Sequence, residues 1–574
     1  MRIRPLYIFI LFLLFVSCKS SQRSAEGIVS INPYSYTGEK RTVSENGAVV
    51  SAHTLASEVG VSILKKGGNA FDAAIATQFA LAVVYPGAGN LGGGGFLVGR
   101  NAEGKLISID YREKAPGLAH RDMYIDKDGK ADTDKSQNGH LSSGVPGTVA
   151  GLFETMQYAK LPLKDLISPA IELAEKGFAI SKNEAASLNG LQFALKKQNT
   201  VMPVFVKNIP WKAGDTLVQK DLANTLKRIL EKGAAGFYEG ETARLIVEEM
   251  KRGHGIISLD DLKNYKAKQR APHIFNYKGY TIIGMSMPSS GGVLLHQMMK
   301  MVEDRNIASM GFHSTAAVQL MTEAERRAYA DRAEYMGDAD FYKVPVDMLT
   351  NDVYLQQRMK NYDPAKATPS SEVGPGVLVA AESEETTHLS VIDKDGNAVA
   401  VTTTLNNGYG SRTVVGGAGF FMNDEMDDFS IKPGVPNLYG AVGGEANAIQ
   451  PGKRMLSSMT PTIVLKDNKP FLVVGTPGGT TIPTQVFQTL VNIIDFNLST
   501  TDAVYKPKFH HQWLPDLFYF EKGFPESAVT ALQKMGYTTR LRGAIGRTEV
   551  IKVLPDGKFE AVADNRGEDA AAGW

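Results

Sequence analysis

The segment 71–84 limits the folds open to this chain more than any other feature. It is apolar almost all round, with Asp72, Thr77 and Gln78 as its polar members, and Pro86 follows it. A surface helix carries one apolar stripe, whereas a helix that is apolar on every side has to be buried. The chain is therefore predicted to form a layered fold in which other elements cover this helix on all sides.

The neighbouring segments predict an α/β organisation. Residues 54–66 carry a helical apolar stripe that Gly67-Gly68 stops, and Asn69 is placed to cap the buried helix. Residues 96–98 and 106–110 have the composition of paired strands. Neither an internal repeat nor a long low-complexity linker interrupts the chain.

Glycine is the unusual component of the composition. The 574 residues include 57 glycines, and four of them form the block 92–95. A phosphate-binding loop is not favoured, because no Lys-Ser/Thr follows the block and no GxGxxG spacing with a downstream acid is present. The block instead indicates a backbone that approaches another group closely.

The charge balance argues against nucleic acid and anionic membranes as partners. The chain has 62 basic and 61 acidic residues, which gives a formal net charge of +1. Hydrophobic residues make up 43% and charged residues 21%, an ordinary globular composition that excludes global disorder, a coiled coil and a polytopic membrane protein. A small or neutral partner is favoured.

The N-terminus predicts export. Arg2 and Arg4 precede the apolar run 6–16, which is too short to span a bilayer, and Ser17-Cys18 follows. The segment 15–18 is similar to a bacterial lipobox, which predicts cleavage before Cys18 and lipidation of its thiol. A plain secretory signal with an incidental cysteine is the alternative. Since Cys18 is the only cysteine, a disulfide framework and a thiolate metal site within one chain are both excluded.

The middle third of the chain contains few candidate functional residues. The charged segment 323–336 is predicted to be a surface helix whose charges form a solvated face, and 287–292 has the composition of a turn. Adjacent His510 and His511 could suggest a metal pair. On a strand, however, they would point to opposite faces, and no third ligand is evident. No metal is predicted.

The most informative stretch begins at residue 382. An acidic run, 382–385, leads into two β-type segments, 386–393 and 398–405, around an Asp-Gly turn, which predicts a hairpin. Polar loop motifs follow it, namely Asn406-Asn407-Gly408, Asn423-Asp424-Glu425, Asp427-Asp428-Phe429, Ser457-Ser458-Met459-Thr460-Pro461 and Gly475-Thr476-Pro477-Gly478-Gly479. Each motif alone is ordinary loop or turn chemistry, so it is their combination that requires an explanation.

That combination resembles the γ-glutamyltransferases (γ-glutamyltranspeptidases, glutathione hydrolases) of the N-terminal nucleophile hydrolase superfamily. The resemblance runs from about residue 47 to the C-terminus. Its motifs are Gly67-Gly68-Asn69-Ala70-Phe71-Asp72-Ala73-Ala74, Asp110-Tyr111-Arg112-Glu113-Lys114-Ala115-Pro116, Ser143-Gly144-Val145-Pro146-Gly147, Thr386-Thr387-His388 and Asp427-Asp428-Phe429-Ser430.

The resemblance implies an α+β fold, a four-layer αββα sandwich self-cleaved into two intertwined subunits. The expected segments are a lipoprotein-type signal over 1–18, a polar N-terminal segment over 19–46, a large subunit over 47–385 and a small subunit over 386–574. The cut falls between Glu385 and Thr386, so the small subunit has 574 − 385 = 189 residues. Both subunits are expected to contribute to the two stacked sheets.

Cleavage before Thr386 suits its implied role as nucleophile. A threonine hydroxyl is a weak nucleophile at neutral pH. The cut creates an α-amine with an ordinary pKa of about 8, and this amine can accept the hydroxyl proton directly or through water. No cysteine or GxSxG serine motif competes with it. The hydroxyl first attacks the Glu385 carbonyl in an N-to-O acyl shift, and water opens the resulting ester.

The other roles follow from the resemblance and from the chemistry of a γ-glutamyl group. Thr404 is expected to orient Thr386, and the backbone N–H groups of Gly478 and Gly479 to form the oxyanion hole. The residues expected to hold the substrate are Arg112, Ser457 and Ser458 for the α-carboxylate, Asn406, Glu425 and Asp428 for the α-ammonium, and Tyr439 as a lid. Many family members have Gln where this chain has Glu425, which changes the charge balance only.

The implied donor is glutathione or a related γ-glutamyl compound, and the acceptor is water, an amino acid or a peptide. No cofactor or nucleic acid is expected, and membrane contact is expected only through a lipid anchor, in the periplasm. A glutaryl or cephalosporin acylase of the same superfamily and an unprocessed lipoprotein that only binds γ-glutamyl compounds are the alternatives.

Overall fold

The computed structural model describes residues 32–374, 386–432 and 443–574. In these residues the strands β1 to β19 are, in chain order, Arg41–Ser44, Gly47–Ser51, Gly94–Arg100, Leu106–Asp110, Phe178–Ala179, Thr216–Leu217, Lys268–Gln269, His273–Tyr277, Tyr280–Gly284, Thr387–Asp393, Ala398–Thr404, Thr462–Lys466, Lys469–Gly475, Phe509–His510, Phe518–Glu521, Thr539–Arg542, Glu549–Val553, Phe559–Val562 and Ala570–Gly573.

The helices α1 to α18 of the same residues are Thr54–Lys65, Ala70–Val84, Thr133–Gln137, Thr148–Thr155, Leu163–Lys176, Lys182–Gln198, Lys220–Lys232, Ala235–Tyr238, Gly240–Arg252, Leu259–Asn264, Gly291–Glu303, Ile307–Met310, Thr315–Tyr335, Val346–Leu349, Asp352–Arg358, Ile482–Ile494, Thr500–Tyr505 and Glu526–Lys534. None of these described helices has the length and apolarity of a membrane span.

The predicted buried helix is confirmed as α2, all of whose residues are buried. Its start is fixed by a capping box. The Asn69 side chain accepts hydrogen bonds from the backbone N–H groups of Phe71 and Asp72, and the Asp72 carboxylate accepts one from the Asn69 N–H at 2.8 Å. Helix α1, which was also predicted, ends at Lys65 and packs against α2.

Two seven-stranded sheets form the centre of the molecule. One has the order β19-β2-β10-β11-β3-β4-β7 and the other β1-β18-β17-β13-β12-β9-β8. The predicted hairpin is confirmed as β10 and β11, whose antiparallel register runs from Thr387 opposite Thr403 to Ile392 opposite Ala398. It lies between β2 and β3 in the first sheet, so both of its edges are paired.

The strand residues alternate between two apolar layers. Val50, Phe96 and Ala400 of the first sheet meet Ile463 and Ile551 of the second sheet in one core between the sheets. The opposite face of the first sheet packs on helices that include α1, α2 and α5, and the opposite face of the second packs on α11, α13 and α16. The four-layer αββα sandwich is therefore confirmed.

The glycine block allows the two sheet strands β3 and β11 to come together. A Cβ atom on Gly93 would lie 2.0 Å from the carbonyl oxygen of Thr404, and one on Gly95 would lie 2.4 Å from that of Thr402. Such distances leave no room for a side chain. The block therefore serves close backbone packing beside the hairpin, as the sequence indicated.

One prediction about the middle third is wrong. The charges of 323–336 do not form a solvated face, because Glu323, Arg326, Arg327, Asp331 and Arg332 of α13 are all buried. Most of them are paired inside the protein, which offsets the cost of removing a charge from water. Arg327, for example, forms an ion pair with Glu323 and donates to the Arg358 carbonyl at 2.7 Å.

Candidate active site

Thr386 and Thr404 lie side by side at one end of the hairpin. Thr386 directly precedes β10 and Thr404 ends β11, so the register of the two strands brings them opposite each other. Their Oγ1 atoms are 3.4 Å apart, and Thr404 Oγ1 also accepts a hydrogen bond from the Asn406 N–H at 2.8 Å. Both threonines are buried. The pairing predicted from the sequence is thus present in the geometry.

The loop after β11 turns sharply beside these hydroxyls. Asn406 has a φ of 77°, a left-handed conformation that asparagine tolerates better than most residues. Its Nδ2 donates to the Asp424 carbonyl oxygen at 3.0 Å, and the Asp424 carboxylate accepts from the Asn407 N–H at 2.9 Å. Burial raises the pKa of Asp424 to about 8.

Arg112 follows β4 and reaches the same cavity. Its guanidinium forms ion pairs with Glu425 and Asp428, which belong to the 3₁₀ turn Glu425–Asp428. A third carboxylate, Glu113, lies 3.5 Å from Nη1, and the Met455 and Leu456 carbonyls accept from Nε and Nη2 at 3.3 and 3.2 Å. The residues expected to bind opposite ends of a substrate are therefore in contact with one another.

Burial and mutual repulsion determine the protonation of these acids. Burial raises the pKa of Glu113 to about 7 and raises the pKa values of Glu425 and Asp428 above their ordinary range, although Arg112 opposes each shift. Burial alone would lower the pKa of Arg112, but the surrounding carboxylates raise it above its usual value. The arginine therefore stays charged, and the acids around it do not all ionise together.

Ser457 and Ser458 form the next wall, supported by the predicted turn 287–292. The Ser457 N–H donates to the Pro288 carbonyl at 2.9 Å, and the Ser290 hydroxyl donates to the Ser457 carbonyl at 2.7 Å. Arg332 of α13 donates to the hydroxyls of both Ser290 and Ser458, at 3.1 Å each. Arg332 could not be predicted from the sequence, since nothing in a charged helix marks the one arginine that reaches a cavity.

Gly478 and Gly479 lie between β13 and α16 in conformations with φ of 133° and 54°. A Cβ atom on Gly478 would approach Thr481 Oγ1 to 2.5 Å, so both dihedral angle and space require glycine there. The loop is tied down on both sides: Thr481 N–H donates to the Gly478 carbonyl at 2.9 Å, and the Tyr329 hydroxyl of α13 donates to the Thr480 carbonyl.

These groups enclose one small cavity of about 20 Å³. Its walls are formed by Arg112, Arg332, Thr386, Thr404, Asn406, Glu425, Asp428, Ser457, Ser458, Met459, Gly479, Thr480 and Ile482. Gly478 adjoins it in the chain. Larger cavities of about 320 and 490 Å³ lie elsewhere, and neither contains a nucleophile beside paired charges. Cys18, Glu385 and Tyr439 lie outside the described residues.

The two adjacent histidines have ordinary protein partners. The ring of His510 lies 2.9 Å from both Thr484 Oγ1 and Gln512 Oε1, and His511 Nε2 lies 3.2 Å from Asp516 Oδ1. Within the described ranges, no group of three or more His, Cys, Asp or Glu side chains has a metal-binding arrangement.

Comparison with known families gives this geometry its context. The family profile described as Gamma-glutamyltranspeptidase matches residues 56–574. The chain belongs to this family. The glutathione hydrolase proenzyme of Escherichia coli strain K12, for example, is 47% identical over 534 residues, which cover 92% of each protein.

Solved structures agree with the gamma-glutamyltranspeptidase assignment and with the fold. The crystal structure of cephalosporin acylase from Bacillus halodurans superposes with a TM-score of 0.82 at 26% identity, over 95% of this chain and 99% of that one. A chain of Helicobacter pylori gamma-glutamyltranspeptidase gives a TM-score of 0.56 at 44% identity, over 60% of this chain and 97% of that one.

Proposed function

We propose that this protein is a γ-glutamyltransferase and glutathione hydrolase that activates itself by cutting before Thr386. The observation that carries the proposal is the pair of buried hydroxyls, Thr386 and Thr404, beside a cavity lined with two arginines and two carboxylates. A nucleophile of this kind next to paired charges suits an amide substrate with a zwitterionic headgroup. The glutathione hydrolase proenzyme of E. coli, at 47% identity, points to the same activity.

The first reaction is self-cleavage. The Thr386 hydroxyl attacks the carbonyl carbon of Glu385, the C–N bond breaks, and the acyl group moves from nitrogen to oxygen. Water then hydrolyses the ester, which frees the Glu385 carboxylate and restores the hydroxyl. Thr404, 3.4 Å away, is the neighbour that orients this hydroxyl. The new α-amine of Thr386 becomes the base for later turnovers.

The second reaction is transfer of the γ-glutamyl group. The Thr386 hydroxyl attacks the γ-carbonyl while its proton passes to the α-amine, and the carbonyl oxygen becomes anionic. The backbone N–H groups of Gly478 and Gly479 stabilise that oxygen, and each such donor is typically worth about 3–4 kcal/mol. The α-amine returns the proton to the leaving amine. Water or an amine acceptor then resolves the γ-glutamyl ester.

The charged groups of the headgroup are held by ion pairs and hydrogen bonds inside the cavity. The α-carboxylate binds Arg112 and the hydroxyls of Ser457 and Ser458. The α-ammonium binds Glu425 and Asp428, and Asn406 lies beside them. Arg112 is already paired with these two carboxylates. Because a zwitterion is neutral overall, its binding adds no net charge to the buried site. Tyr439 is assigned the role of a lid over the bound donor.

Replacing Thr386 with alanine is the first test. Thr386→Ala is expected to remain one uncut chain without γ-glutamyl p-nitroanilide hydrolysis, because the attacking oxygen is gone. Scaling the 62.1 kDa mass by 189 of 574 residues gives a fragment of about 20 kDa for the wild type, beginning Thr386-Thr387-His388. Intact mass and N-terminal sequencing of protein expressed without residues 1–18 measure both.

Thr387→Val provides the matched control. Thr387 Oγ1 is buried and has no hydrogen-bond partner within the described residues, so this neighbouring variant should still be cut and active. A cleaved Thr386→Ala protein would show that another group does the cutting. A wild-type chain that stays whole at neutral pH would favour the unprocessed binding protein instead.

An acylase is the second candidate, because the cephalosporin acylase of B. halodurans shares the fold at a TM-score of 0.82. The two activities differ in the headgroup, since a glutaryl group has no α-ammonium to occupy Glu425 and Asp428. Hydrolysis of glutaryl p-nitroanilide is therefore expected to be much slower than that of the γ-glutamyl compound. Equal rates would contradict recognition of the amino group.

We also propose that the protein is exported to the periplasm and anchored through a lipid on Cys18. The support is the sequence of residues 1–18, in which a basic start and an apolar run precede the cysteine. Fractionation of wild type and Cys18→Ser tests it. Loss of membrane association in the variant is expected, whereas an unchanged soluble distribution would favour a plain secretory signal.

A further inference from the structure

Arg332 lines the cavity that contains Thr386 and Thr404. It belongs to the last turn of α13, and only 8% of the residue is exposed. Its Nε and Nη2 atoms donate to the hydroxyls of Ser290 and Ser458. Ser458 lines the cavity as well, so the guanidinium and this hydroxyl form one continuous wall.

The two arginines of the cavity differ in their partners. Arg112 is in contact with three carboxylates, those of Glu113, Glu425 and Asp428. Arg332 has two neutral hydroxyls, and no carboxylate of the described residues lies within salt-bridge distance of it. Burial accordingly lowers the pKa of Arg332, whereas the carboxylates raise that of Arg112. Asp428 opposes the lowering at Arg332 but forms no ion pair with it. A buried cation with no carboxylate in direct contact is stabilised by an anion that enters beside it.

One polar atom of this cavity lacks a partner within the described chain, and a second is not used by the hydrogen bonds given above. One is the carboxylate oxygen Oε2 of Glu425, which is buried and accepts no hydrogen bond. The other is Nη1 of Arg332, since the hydrogen bonds of that guanidinium use Nε and Nη2. An unsatisfied acceptor and a guanidinium that contacts only neutral hydroxyls, both on the walls of one cavity, match the ammonium and the carboxylate of an α-amino acid headgroup.

We propose that Arg332 is a second, direct counter-ion for the α-carboxylate of the substrate, which it binds together with Arg112 and Ser458. Arg112 is already paired with Glu425 and Asp428. Arg332 contacts only hydroxyls, so its guanidinium can form an ion pair with the ligand. Arg332 would then determine specificity for donors with a carboxylate on the α-carbon. This inference rests on the proposed γ-glutamyl transfer activity and deepens it.

Three p-nitroanilides separate the contributions of the two headgroup charges. The γ-glutamyl compound carries both charges, 4-aminobutyryl p-nitroanilide lacks the α-carboxylate, and glutaryl p-nitroanilide lacks the α-ammonium. The measurement is kcat/KM of processed wild type, Arg332→Gln and Arg332→Lys on each compound. Fragment masses and thermal midpoints of the same preparations show whether each variant is cut and folded.

For Arg332→Gln, kcat/KM on the γ-glutamyl and glutaryl compounds should fall roughly 10- to 100-fold, as expected for loss of a hydrogen bond between charged groups. On 4-aminobutyryl p-nitroanilide it should stay within about twofold, because that compound has no carboxylate to lose. Arg332→Lys keeps the charge and should recover part of the loss. An arginine merely needed for folding would affect all three compounds alike.

Equal losses on all three compounds by Arg332→Gln would therefore overturn the proposal. Arg252→Gln is the control, because Arg252 is partly buried and pairs with Glu249 outside the cavity; it should leave all three values unchanged. Failure of the proposed function is a different result, namely a wild-type protein that does not hydrolyse γ-glutamyl p-nitroanilide at all.

Discussion

Asp424, near the Thr386 and Thr404 hydroxyls, has a pKa that is determined mainly by burial. Its carboxylate accepts hydrogen bonds from the backbone and side-chain amides of Asn407, and its backbone carbonyl holds Asn406. Unlike Glu425, which follows it, Asp424 has no arginine in ion-pair contact among the described residues. Burial is the main cause that raises its pKa to about 8.

Asp424 should therefore make the folded state less stable as pH rises. The pKa lies near 3.8 in the unfolded chain and near 8 in the fold, so the folded state holds the proton over this interval. The stability that this proton supplies is complete below about pH 4 and is lost as pH rises towards 8, at most roughly 1.4 kcal/mol per pH unit.

Asp424→Asn tests this directly, because it removes the titration and keeps the shape. Its free energy of unfolding, relative to wild type, should rise between pH 5 and pH 8 in urea titrations. Any constant offset reports the changed hydrogen bonds alone. Parallel pH profiles of the two proteins would mean that the Asp424 carboxylate is already ionised in the fold at pH 5.

At the scale of elements, helix α13 connects the two loops that border the catalytic cavity. Tyr329 donates to the loop that contains Gly479, and Arg332 donates to Ser458. The middle of the same helix is fixed by a buried ion pair between Glu323 and Arg327. Helix α13 therefore positions both loops, one through the Tyr329 hydroxyl and the other through the charge of Arg332, which the sequence suggests is solvent-exposed.

Breaking the Glu323–Arg327 pair should be costly. Arg327→Met leaves Glu323 buried with less compensation, and removal of one partner of a buried pair typically costs about 3–5 kcal/mol. The double variant Glu323→Gln/Arg327→Met should lose less than the sum of the two single variants, as measured by urea unfolding. Additive losses would show that the two side chains do not stabilise each other.

The surface helix α5 supplies the control for this experiment. Its Glu172 and Lys176 form an ion pair of the same i,i+4 spacing, with both side chains exposed to solvent. Lys176→Met should leave the unfolding midpoint unchanged within error, because water and salt screen such pairs.

For the whole molecule, the sheet order explains why a cut before Thr386 does not divide the protein. Strands β10 and β11, which follow the cut, lie between β2 and β3, which precede it. In the second sheet, β12 lies beside β9 in the same way. The core between the sheets and the two cores on their outer faces therefore all contain side chains from each side of the cut.

The two fragments should consequently stay together after cleavage. Processed protein is expected to elute from a sizing column as one species of about the mass of the uncut chain, while a denaturing gel resolves a large fragment and one near 20 kDa. Both fragments should lose structure in a single thermal transition. Elution of a separate small fragment under native conditions would contradict the interleaved sheets.

The sequence by itself determined the local elements and the identity of most groups around the cavity. Helix α2 and the β10–β11 hairpin were predictable because burial on all sides and a turn between β-type runs are local patterns. Arg112, Thr404 and Gly479 were predictable because the family resemblance attaches roles to short motifs. All three line one cavity, as the proposed roles require.

Only the tertiary structure determined which charged side chains are buried and what they contact. The sequence predicts a solvated face on α13, yet its charges are buried, since partners distant in the chain, such as Arg358 and Ser458, compensate for the lost water. The same long-range packing selects Arg332 from among the arginines of α13 and brings it to the cavity. Helical periodicity shows which residues share a face, but what covers that face depends on contacts across the whole chain.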